Sequence, residues 1–341
     1  MRRSWRRRSL AFLAGGLASF AVGECLVRAF VGAPLRERLH VLEIRANATR
    51  GWEMVPGLHY TYEHPVHVNA LGLRGPEVEP KVPGEVRVLA LGDSLTYGQG
   101  VADDETLPAH LERELRERDP TRRFTVVNAG LRAYDTRQEL ALFEELGEAI
   151  DPDVVILFWY WNDFYGRDLE ATRARLEASG PVAFDTGTRI EGWERVKWSA
   201  RQVLRASALV MFLHDAGSGF WAETHTEAET ARGFSDLDPE LERFAALARS
   251  RGARALVAAI PDPSTLEEPR LESSTTARVL GRARAHGLPT LDLEASLRPV
   301  GEERLSLFVL PFDGHYTSEG NRRMAVGVAL AVRACLAEAA H

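Results

Sequence analysis

The chain has little cysteine and no excess of positive charge. It contains two cysteines in 341 residues, Cys25 and Cys335. Because Cys25 lies in an apolar N-terminal segment, a disulfide between them is not expected. The net charge of −7 means that the chain has no overall positive charge to attract nucleic acid. His214 and His225 have no companion cysteine or carboxylate cluster, so no metal site is predicted there. Apolar residues make up 45% of the chain, which suffices for a sizeable core.

The most informative segment is residues 89–98, where a serine follows an apolar run and a Gly-Asp turn. Residues 86–91 have the pattern of a buried parallel strand. Such strands present reactive groups at their carboxyl ends, so Ser94 is expected to face a crevice. Any α/β domain can begin a helix in the same way. A base, an orienting acid and oxyanion donors must therefore come from the rest of the chain.

The C-terminal region supplies a carboxylate and a histidine close together. Asp313 precedes His315 with Gly314 between them, and a helix is expected from about Glu319. A serine hydroxyl needs a neighbouring imidazole to take its proton. That imidazole needs a partner on its other nitrogen to fix its tautomer. Ser94, Asp313 and His315 are therefore the predicted nucleophile, acid and base, and a surface loop histidine is the alternative for His315.

Two further predicted strands end in residues that can donate hydrogen bonds. Residues 125–130 end in Gly130, and residues 154–163 end in Asn162 and Asp163. Acyl transfer develops negative charge on the former carbonyl oxygen, and fixed N–H donors at that oxygen are often the largest catalytic contribution. The predicted donors are the backbone N–H groups of Ser94 and Gly130 and the side-chain amide of Asn162. A turn at Gly130 and a strand cap at Asn162 are the structural alternatives.

Together these segments resemble the sequence blocks of the GDSL, or SGNH, hydrolase family. The matching residues are Gly92-Asp93-Ser94-Leu95, Gly130, Asn162-Asp163, and Asp313 with His315. The resemblance covers roughly residues 85–335. It implies a three-layer α/β/α fold, an esterase, lipase, deacetylase or acyltransferase activity, and neither a metal nor an organic cofactor. It also implies Ser94 as nucleophile, His315 as base and Asp313 as the partner of that base.

Two positions depart from the usual pattern of this family. Tyr160 stands two residues before Asn162, where glycine is usual, and its ring is expected either to narrow the acyl pocket or to shift Asn162. Asp313 and His315 are two residues apart instead of three, a difference that Gly314 can absorb. These departures leave open a catalytically inactive protein of this fold that binds carbohydrate or serves in assembly.

The rest of the sequence alternates between helical and strand patterns. Helices are expected at residues 107–118, 136–150, 239–250 and 274–286, and strands at residues 254–260 and 288–293. Such alternation is typical of a doubly wound parallel sheet. The predicted fold class is therefore α/β, a three-layer sandwich around five parallel strands. The crevice at the carboxyl edge of this sheet would gather residues 94, 130, 162 and 315.

The N-terminus combines a basic flank with an apolar segment. Residues 1–8 include five arginines, and residues 10–23 carry no charge. A membrane-spanning helix needs ~20 apolar residues, so residues 9–31 predict one span, with Glu24 and Arg28 snorkelling or pairing near its end. The basic flank is expected to stay in the cytoplasm. The protein is then a single-pass inner-membrane protein of a bacterial cell envelope, or is secreted if the segment is a cleaved signal peptide.

The chain is expected to have three parts: an N-terminal segment (1–32), a connector with a small β element (33–84) and a hydrolase domain (85–341). Residues 164–237 interrupt the alternation in the third part and carry three tryptophans, Trp193, Trp198 and Trp221. Because this insertion follows Asn162 directly, we expect a lid or substrate-binding cap over the site. A helical subdomain with its own small core is the alternative.

The predicted function is that of an exported serine esterase that forms a covalent acyl-enzyme. The first alternative passes the acyl group to a sugar hydroxyl and makes the protein an O-acyltransferase of envelope polysaccharide. The second is the inactive carbohydrate-binding or assembly protein. The expected partners are a small-molecule or glycan ester and, through the N-terminal helix, the membrane. No nucleic acid, metal or cofactor is expected, and the sequence points to no particular protein partner.

Overall fold

The computed structural model describes residues 2–166, 168–218, 227–262, 266, 274–298, 304–308 and 313–337. The first half of the chain contains a long N-terminal helix, four short strands, three long strands and the helices between them. In chain order these are α1 (Arg2–Phe30), β1 (Glu43–Asn47), β2 (Gly51–Met54), β3 (Gly57–Thr61), β4 (His64–Val68), β5 (Glu85–Gly92), α2 (Ser94–Tyr97), α3 (Leu107–Arg118), β6 (Arg123–Gly130), α4 (Thr136–Ile150) and β7 (Val154–Trp159). Two 3₁₀ turns, Asp103–Glu105 and Trp161–Phe164, lie between them.

The second half is mainly helical, with one very short and two longer strands. Its elements are α5 (Leu169–Ser179), β8 (Val182–Ala183), α6 (Gly192–Arg205), α7 (Ala208–Ser218), α8 (Glu227–Ser250), β9 (Arg254–Ala259), α9 (Thr275–Ala285), β10 (Thr290–Asp292), α10 (Glu294–Leu297), α11 (Arg304–Leu307) and α12 (Ser318–Ala337).

Five parallel strands form the central sheet in the order β10-β9-β7-β5-β6. The first of these strands in the sequence, β5, lies between β6 and β7, so the order of strands reverses beside it. In doubly wound sheets of this type, ligands bind at that reversal, outside the carboxyl ends of the strands. A ligand site is therefore expected among the residues that follow β5 and β7.

The two faces of the sheet carry separate apolar clusters. On β5, Leu89 and Leu91 point into one cluster, which includes side chains of α4, α8 and α9. Val88 and Ala90 point into the other cluster, which includes side chains of α3 and α12. This alternation follows from the two-residue period of a strand, and burial on both faces explains why the strands are almost continuously apolar. The predicted three-layer α/β/α sandwich with five parallel strands is confirmed.

Several element boundaries differ from the prediction. β7 ends at Trp159, because the chain turns into the 3₁₀ segment Trp161–Phe164. α8 begins at Glu227 and includes Pro239 in its interior, where Pro239 was expected to start the helix. Buried side chains before and after the proline, among them Phe234 and Leu241, hold the helix together, so packing outweighs the missing hydrogen bond.

The connector and the insertion share a small antiparallel sheet. β8, which belongs to the insertion, pairs with β1 of the connector, giving the order β2-β1-β8. β3 and β4 form a separate antiparallel hairpin. The insertion therefore consists of more than helices, and its first part is fixed to the segment that precedes the central sheet.

The N-terminal helix carries the predicted membrane segment. Arg8–Phe30 is long and apolar enough to cross a membrane, is barely covered by the rest of the chain, and is the one such helix in the part of the chain that the structure describes. A signal sequence has the same properties. Near its end, Arg28 Nε donates to Glu24 Oε1 at 2.6 Å, so the predicted pairing of these two charges is confirmed.

Candidate active site

A short turn of helix presents Ser94 at the carboxyl edge of the sheet. Ser94 is the first residue of α2, directly after β5, and Asp93 caps the helix by accepting the Leu95 N–H at 2.8 Å. A Cβ at Gly92 would overlap the Thr96 side chain. The glycine therefore lets α2 pack closely on the end of its own strand. As a result, the Ser94 hydroxyl is exposed in a cavity while its backbone is rigidly held.

Ser94, His315 and Asp313 lie within hydrogen-bonding distance of one another. Ser94 Oγ is 2.7 Å from His315 Nε2, and His315 Nδ1 is hydrogen-bonded to Asp313 Oδ1. The same carboxylate oxygen accepts the backbone N–H of His315 at 3.0 Å. The short Asp-Gly-His spacing therefore brings acid and imidazole together. In the tautomer whose Nδ1–H donates to Asp313, Nε2 accepts from the serine hydroxyl.

Two residues that sequence reasoning missed hold the second oxygen of Asp313. Tyr62, in the turn between β3 and β4, donates its hydroxyl to Oδ2, and Gln99 Nε2 donates to the same oxygen at 3.0 Å. Burial alone would raise the pKa of Asp313, but the charge of His315 and hydrogen bonds from His315 and Tyr62 hold this pKa below its usual value. The carboxylate therefore stays ionised. No motif marks Tyr62 or Gln99, because their role depends on how distant segments meet.

Asn162 lies beside the serine, as predicted, in the 3₁₀ turn that follows β7. Its Nδ2 donates to Asp93 Oδ2 at 2.9 Å, which leaves the second amide hydrogen available to the cavity that Asn162 lines. Tyr160 does not line this cavity, because its hydroxyl donates to Asp262 Oδ2 at 2.7 Å. The tyrosine that replaces the usual glycine therefore neither narrows the cavity nor removes Asn162 from it.

Gly130, predicted as a donor, is not brought to the cavity. Its N–H donates to Asn128 Oδ1 at 3.0 Å, and a Cβ at this position would overlap the Tyr97 backbone nitrogen. The glycine therefore serves close packing of α2 on β6. Ala133, three residues later, does line the cavity and has a φ of 58°, which is uncommon for a residue other than glycine. Within the described residues, the Ala133 N–H has no acceptor.

The cavity around Ser94 has a volume of about 510 Å³ and polar walls. The connector and the insertion contribute much of its lining: Glu37, Tyr60, Tyr62, Phe184, Asp185 and Arg205. Arg132 pairs with Asp185 at 2.8 Å, and Arg205 pairs with Glu37. A larger cavity of about 700 Å³ lies elsewhere and is lined by none of the predicted site residues.

The insertion lines the cavity with residues other than its tryptophans. Trp193 is exposed and Trp198 is buried, and neither lines the cavity. Trp221 and His225 lie outside the described residues. The aromatic rim that was expected from these tryptophans is therefore not formed by Trp193 or Trp198. Phe184, which the sequence did not single out, occupies the cavity wall instead.

Buried carboxyl groups lie beneath the site. Glu139 is fully buried, and neither oxygen of its carboxyl group has a hydrogen-bond partner among the residues that are described. Asp163 Oδ2 accepts from Thr136 Oγ1 at 3.2 Å. Burial, together with the negative charges of Asp163 and Asp93, raises the pKa of Glu139, and burial and the charge of Asp93 raise the pKa of Asp163. No group of three His, Cys, Asp or Glu side chains in the described ranges is placed to hold a metal ion.

Comparisons with known proteins add a family match and several distant structural likenesses. The model of the GDSL-like lipase/acylhydrolase family matches residues 90–323. No curated protein matches the sequence. The crystal structure of TesA has 17% sequence identity to this chain and a TM-score of 0.43. The match covers 73% of this chain and 99% of the TesA chain. An acetyl xylan esterase, AlAXEase, is 14% identical with coverages of 72% and 100% and a TM-score of 0.42.

A lipase/acylhydrolase from Enterococcus faecalis is 15% identical, with coverages of 73% and 96% and a TM-score of 0.40. At TM-scores this low, the likenesses support no inference about substrate. The fold assignment therefore rests on the strand order of the sheet and on the family match.

Proposed function

The chain belongs to the GDSL-like lipase/acylhydrolase family of ester-bond hydrolases, and on that premise we propose that it is a serine esterase with Ser94 as nucleophile. The observation that carries the proposal is the distance of 2.7 Å between Ser94 Oγ and His315 Nε2. It is supported by the position of both groups in one cavity at the carboxyl edge of the sheet.

In the proposed reaction, Ser94 Oγ attacks the acyl carbon while His315 Nε2 accepts the hydroxyl proton. Asp313 holds the Nδ1–H and stabilises the imidazolium. The ester C–O bond breaks, His315 returns the proton to the departing alcohol, and the acyl group stays on Ser94. A water molecule then attacks the acyl carbon and its proton passes to His315. The bond from the acyl carbon to Ser94 Oγ breaks, His315 returns the proton to Oγ, and the acid is released.

The negative charge of the tetrahedral intermediate needs donors that are fixed before the reaction. We assign this role to the backbone N–H groups of Ser94 and Ala133 and to the side-chain amide of Asn162. Three facts support Ala133: it lines the cavity, its φ is 58°, and its N–H has no acceptor in the described part of the chain. Gly130 is not retained as a donor, because its N–H is already used.

The polar walls favour a small-molecule or glycan ester over a long acyl chain. The paired charges Arg132–Asp185 and Arg205–Glu37 lie at the cavity surface, where hydroxyl-rich groups can form hydrogen bonds. Tyr60 and Phe184 add aromatic surface of the kind on which sugar rings pack. The insertion, through Phe184, Asp185 and Arg205, would thereby act on the choice of substrate, as a cap does.

For the N-terminus, we propose that α1 is retained as a membrane anchor with the catalytic domain outside the cytoplasm. The five arginines of residues 1–8 favour a cytoplasmic position for that end. Mass spectrometry of the N-terminal peptide from the membrane fraction tests this. A chain that keeps residues 1–32 supports the anchor. A chain whose N-terminus lies after this segment indicates a cleaved signal peptide.

Labelling by a fluorophosphonate probe tests the catalytic proposal. The wild-type chain should react covalently, because the probe captures a serine that a base activates, and Ser94→Ala should not. An unlabelled wild-type chain would contradict the proposal and favour the inactive carbohydrate-binding protein. Incubation with an acyl ester and sugar acceptors then separates two outcomes by mass spectrometry. Free acid indicates hydrolysis, and an acylated sugar indicates transfer.

A further inference from the structure

Exposed apolar side chains are concentrated on two neighbouring helices of the insertion. Outside α1, nine large apolar side chains are exposed among the described residues. Three are scattered, at Leu58, Val82 and Leu330, and six lie on α6 and α7: Trp193, Val196, Val203, Leu204, Phe212 and Leu213. We call these six side chains the α6–α7 surface. Scattered single apolar residues are normal on a protein, whereas a contiguous apolar patch marks an interaction site.

The helix α6 presents its apolar side outward. Trp193, Val196 and Val203 recur at spacings that place them on one face of a helix, and all three are exposed. The opposite face packs on the protein: Trp198 is 9% exposed, and Gln202 Nε2 donates to Glu37 Oε2 at 2.9 Å. A surface helix of a water-soluble domain normally has the reverse orientation.

The adjoining helix α7 begins directly against the candidate membrane helix. The Glu24 carboxylate of α1 accepts hydrogen bonds from the Ser207 hydroxyl at 2.7 Å and from the Ala208 and Leu209 N–H groups at 3.0 and 2.9 Å. Arg28 Nη2 donates to Ala206 O at 2.6 Å. The two charges inside the apolar α1 segment are thus used to hold the start of α7.

The depth of this junction fits the outer boundary of a bilayer. Glu24 follows Arg8 by 16 residues, which is roughly 24 Å at the rise of an α-helix, and the hydrocarbon core is ~30 Å thick. An attachment at this depth places α7 near the outer acyl–headgroup boundary. Because α6 continues into α7 through only two residues, the outward apolar face of α6 is held near the same level.

We propose that the α6–α7 surface docks on the lipid bilayer that α1 enters, with its apolar side chains inserted at the acyl–headgroup boundary. Continuity with α1 selects the bilayer as the occupant. Exposed basic residues on α6, Arg195, Lys197 and Arg201, suit anionic headgroups. Since Arg205 of the same helix lines the catalytic cavity, the docked helix sets that cavity directly above the membrane. The inference rests on the proposed anchoring by α1 and does not depend on the catalytic proposal.

The inference can be tested in the full-length chain by attaching a fluorescent dye at one of three similarly exposed leucine positions and measuring how strongly labelled lipid quenches it. The leucines are Leu13 of α1, Leu204 of α6 and Leu330 of α12, exposed by 61%, 60% and 52%. Each is changed singly to cysteine with Cys25→Ala, the buried Cys335 being left in place, and is labelled with a nitrobenzoxadiazole dye. The chains are reconstituted in phosphatidylcholine–phosphatidylglycerol vesicles with and without nitroxide-labelled lipid. Cooperative thermal unfolding of each labelled chain checks its fold.

The dye at Leu204→Cys should be quenched by the nitroxide lipid at least half as strongly as the dye at Leu13→Cys. The dye at Leu330→Cys should instead be quenched by aqueous iodide. Quenching of the Leu204→Cys dye by iodide alone would place α6 in water and overturn the inference. Shielding from both quenchers would indicate contact with a second copy and would also overturn it. An unquenched Leu13→Cys dye would reject the anchor and the inference together, while the fluorophosphonate reaction of the same sample still reports on catalysis separately.

Discussion

The carboxyl edge of the sheet and the α6–α7 surface depart from ordinary protein surfaces in opposite ways. At the sheet edge, polar groups such as the buried Asp313 and the half-buried Asn162 are held by fixed hydrogen bonds. On α6, apolar groups such as Val203 are left exposed. In the first region, the proposed catalysis depends on a few atom-to-atom distances. In the second, the proposed membrane docking depends on summed apolar area. Single substitutions should therefore have large effects at the edge and small effects on the helix.

The largest effect is expected for Ser94→Ala, which removes the proposed nucleophile. Hydrolysis of a small activated ester should fall by about 10⁴-fold or more, since the remaining groups supply only binding and charge stabilisation. The measurement is kcat/KM with p-nitrophenyl acetate. Ser179→Ala, the same change at an exposed helical serine, is the control and should leave the rate unchanged. Substantial hydrolysis by Ser94→Ala would assign the chemistry to another group.

Asn162→Ala should reduce kcat by about 10²- to 10³-fold with little change in KM, as loss of one oxyanion donor does. In the proposed mechanism the amide acts on charge that exists only in the transition state, so binding of the ester should be spared. Steady-state kinetics on the same ester provide the measurement. Asn47→Ala, at an amide remote from the cavity, is the matched control. A rise in KM with unchanged kcat would instead make Asn162 a substrate-binding group.

Tyr62→Phe should lower kcat/KM by about tenfold, the size expected when one hydrogen bond to a charged group is lost. The hydroxyl donates to Asp313 Oδ2 and so positions the acid without touching the reacting atoms. Tyr60→Phe is the matched control, since its ring lines the same cavity. In Tyr62→Phe the fluorophosphonate should still label Ser94, but at a lower rate than in the wild type. Equal losses for both tyrosines would point to a general effect of the hairpin.

The contrast between these two regions also explains how much of the fold and of the site could be predicted from the sequence alone. The five strands and the positions of Ser94 and Asn162 follow from local patterns, because polar residues that follow buried parallel strands meet at one edge. Asp313 and His315 lie just before α12, and their close spacing in the sequence identified them. The proposed replacement of Gly130 by Ala133 as a donor could not come from the sequence, because it depends on the backbone angle of Ala133, which the residue type does not disclose.

The walls of the cavity and the orientation of α6 depend on long-range packing. Phe184 and Asp185 reach the site because β8 pairs with β1, across about 140 residues of chain. The spacing of apolar residues within α6 is that of an amphipathic helix. It does not show which face of that helix packs on the protein. The outward position of Val203 therefore becomes visible only once Trp198 and Gln202 are seen against the connector.

Beneath the sheet edge, Glu139→Gln should change stability and not catalysis. Burial raises the pKa of Glu139 in the folded chain. Its contribution to stability is therefore fully present below the pKa of the unfolded carboxyl and is lost as pH rises through the higher folded value. The glutamine carries no such dependence, so its advantage in unfolding temperature over wild type should grow as pH rises above the ~4.3 of an ordinary glutamate carboxyl. Glu148→Gln, exposed on the same helix, should show no such trend.

The smallest effect is expected for Val203→Gln on the α6–α7 surface. The hydrolysis rate on a water-soluble ester should stay within about twofold of wild type, because the side chain is exposed and removing one of six apolar groups costs little. Val155→Gln makes the same change in β7, where the valine is fully buried. It should destabilise the fold by about 3 kcal/mol or more, since an amide is left in an apolar core. Unfolding temperatures and rates of the two variants give the comparison directly. If Val203→Gln lost as much activity as Asn162→Ala, α6 would belong to the catalytic apparatus, and the separation between a site built on distances and a surface built on area would fail.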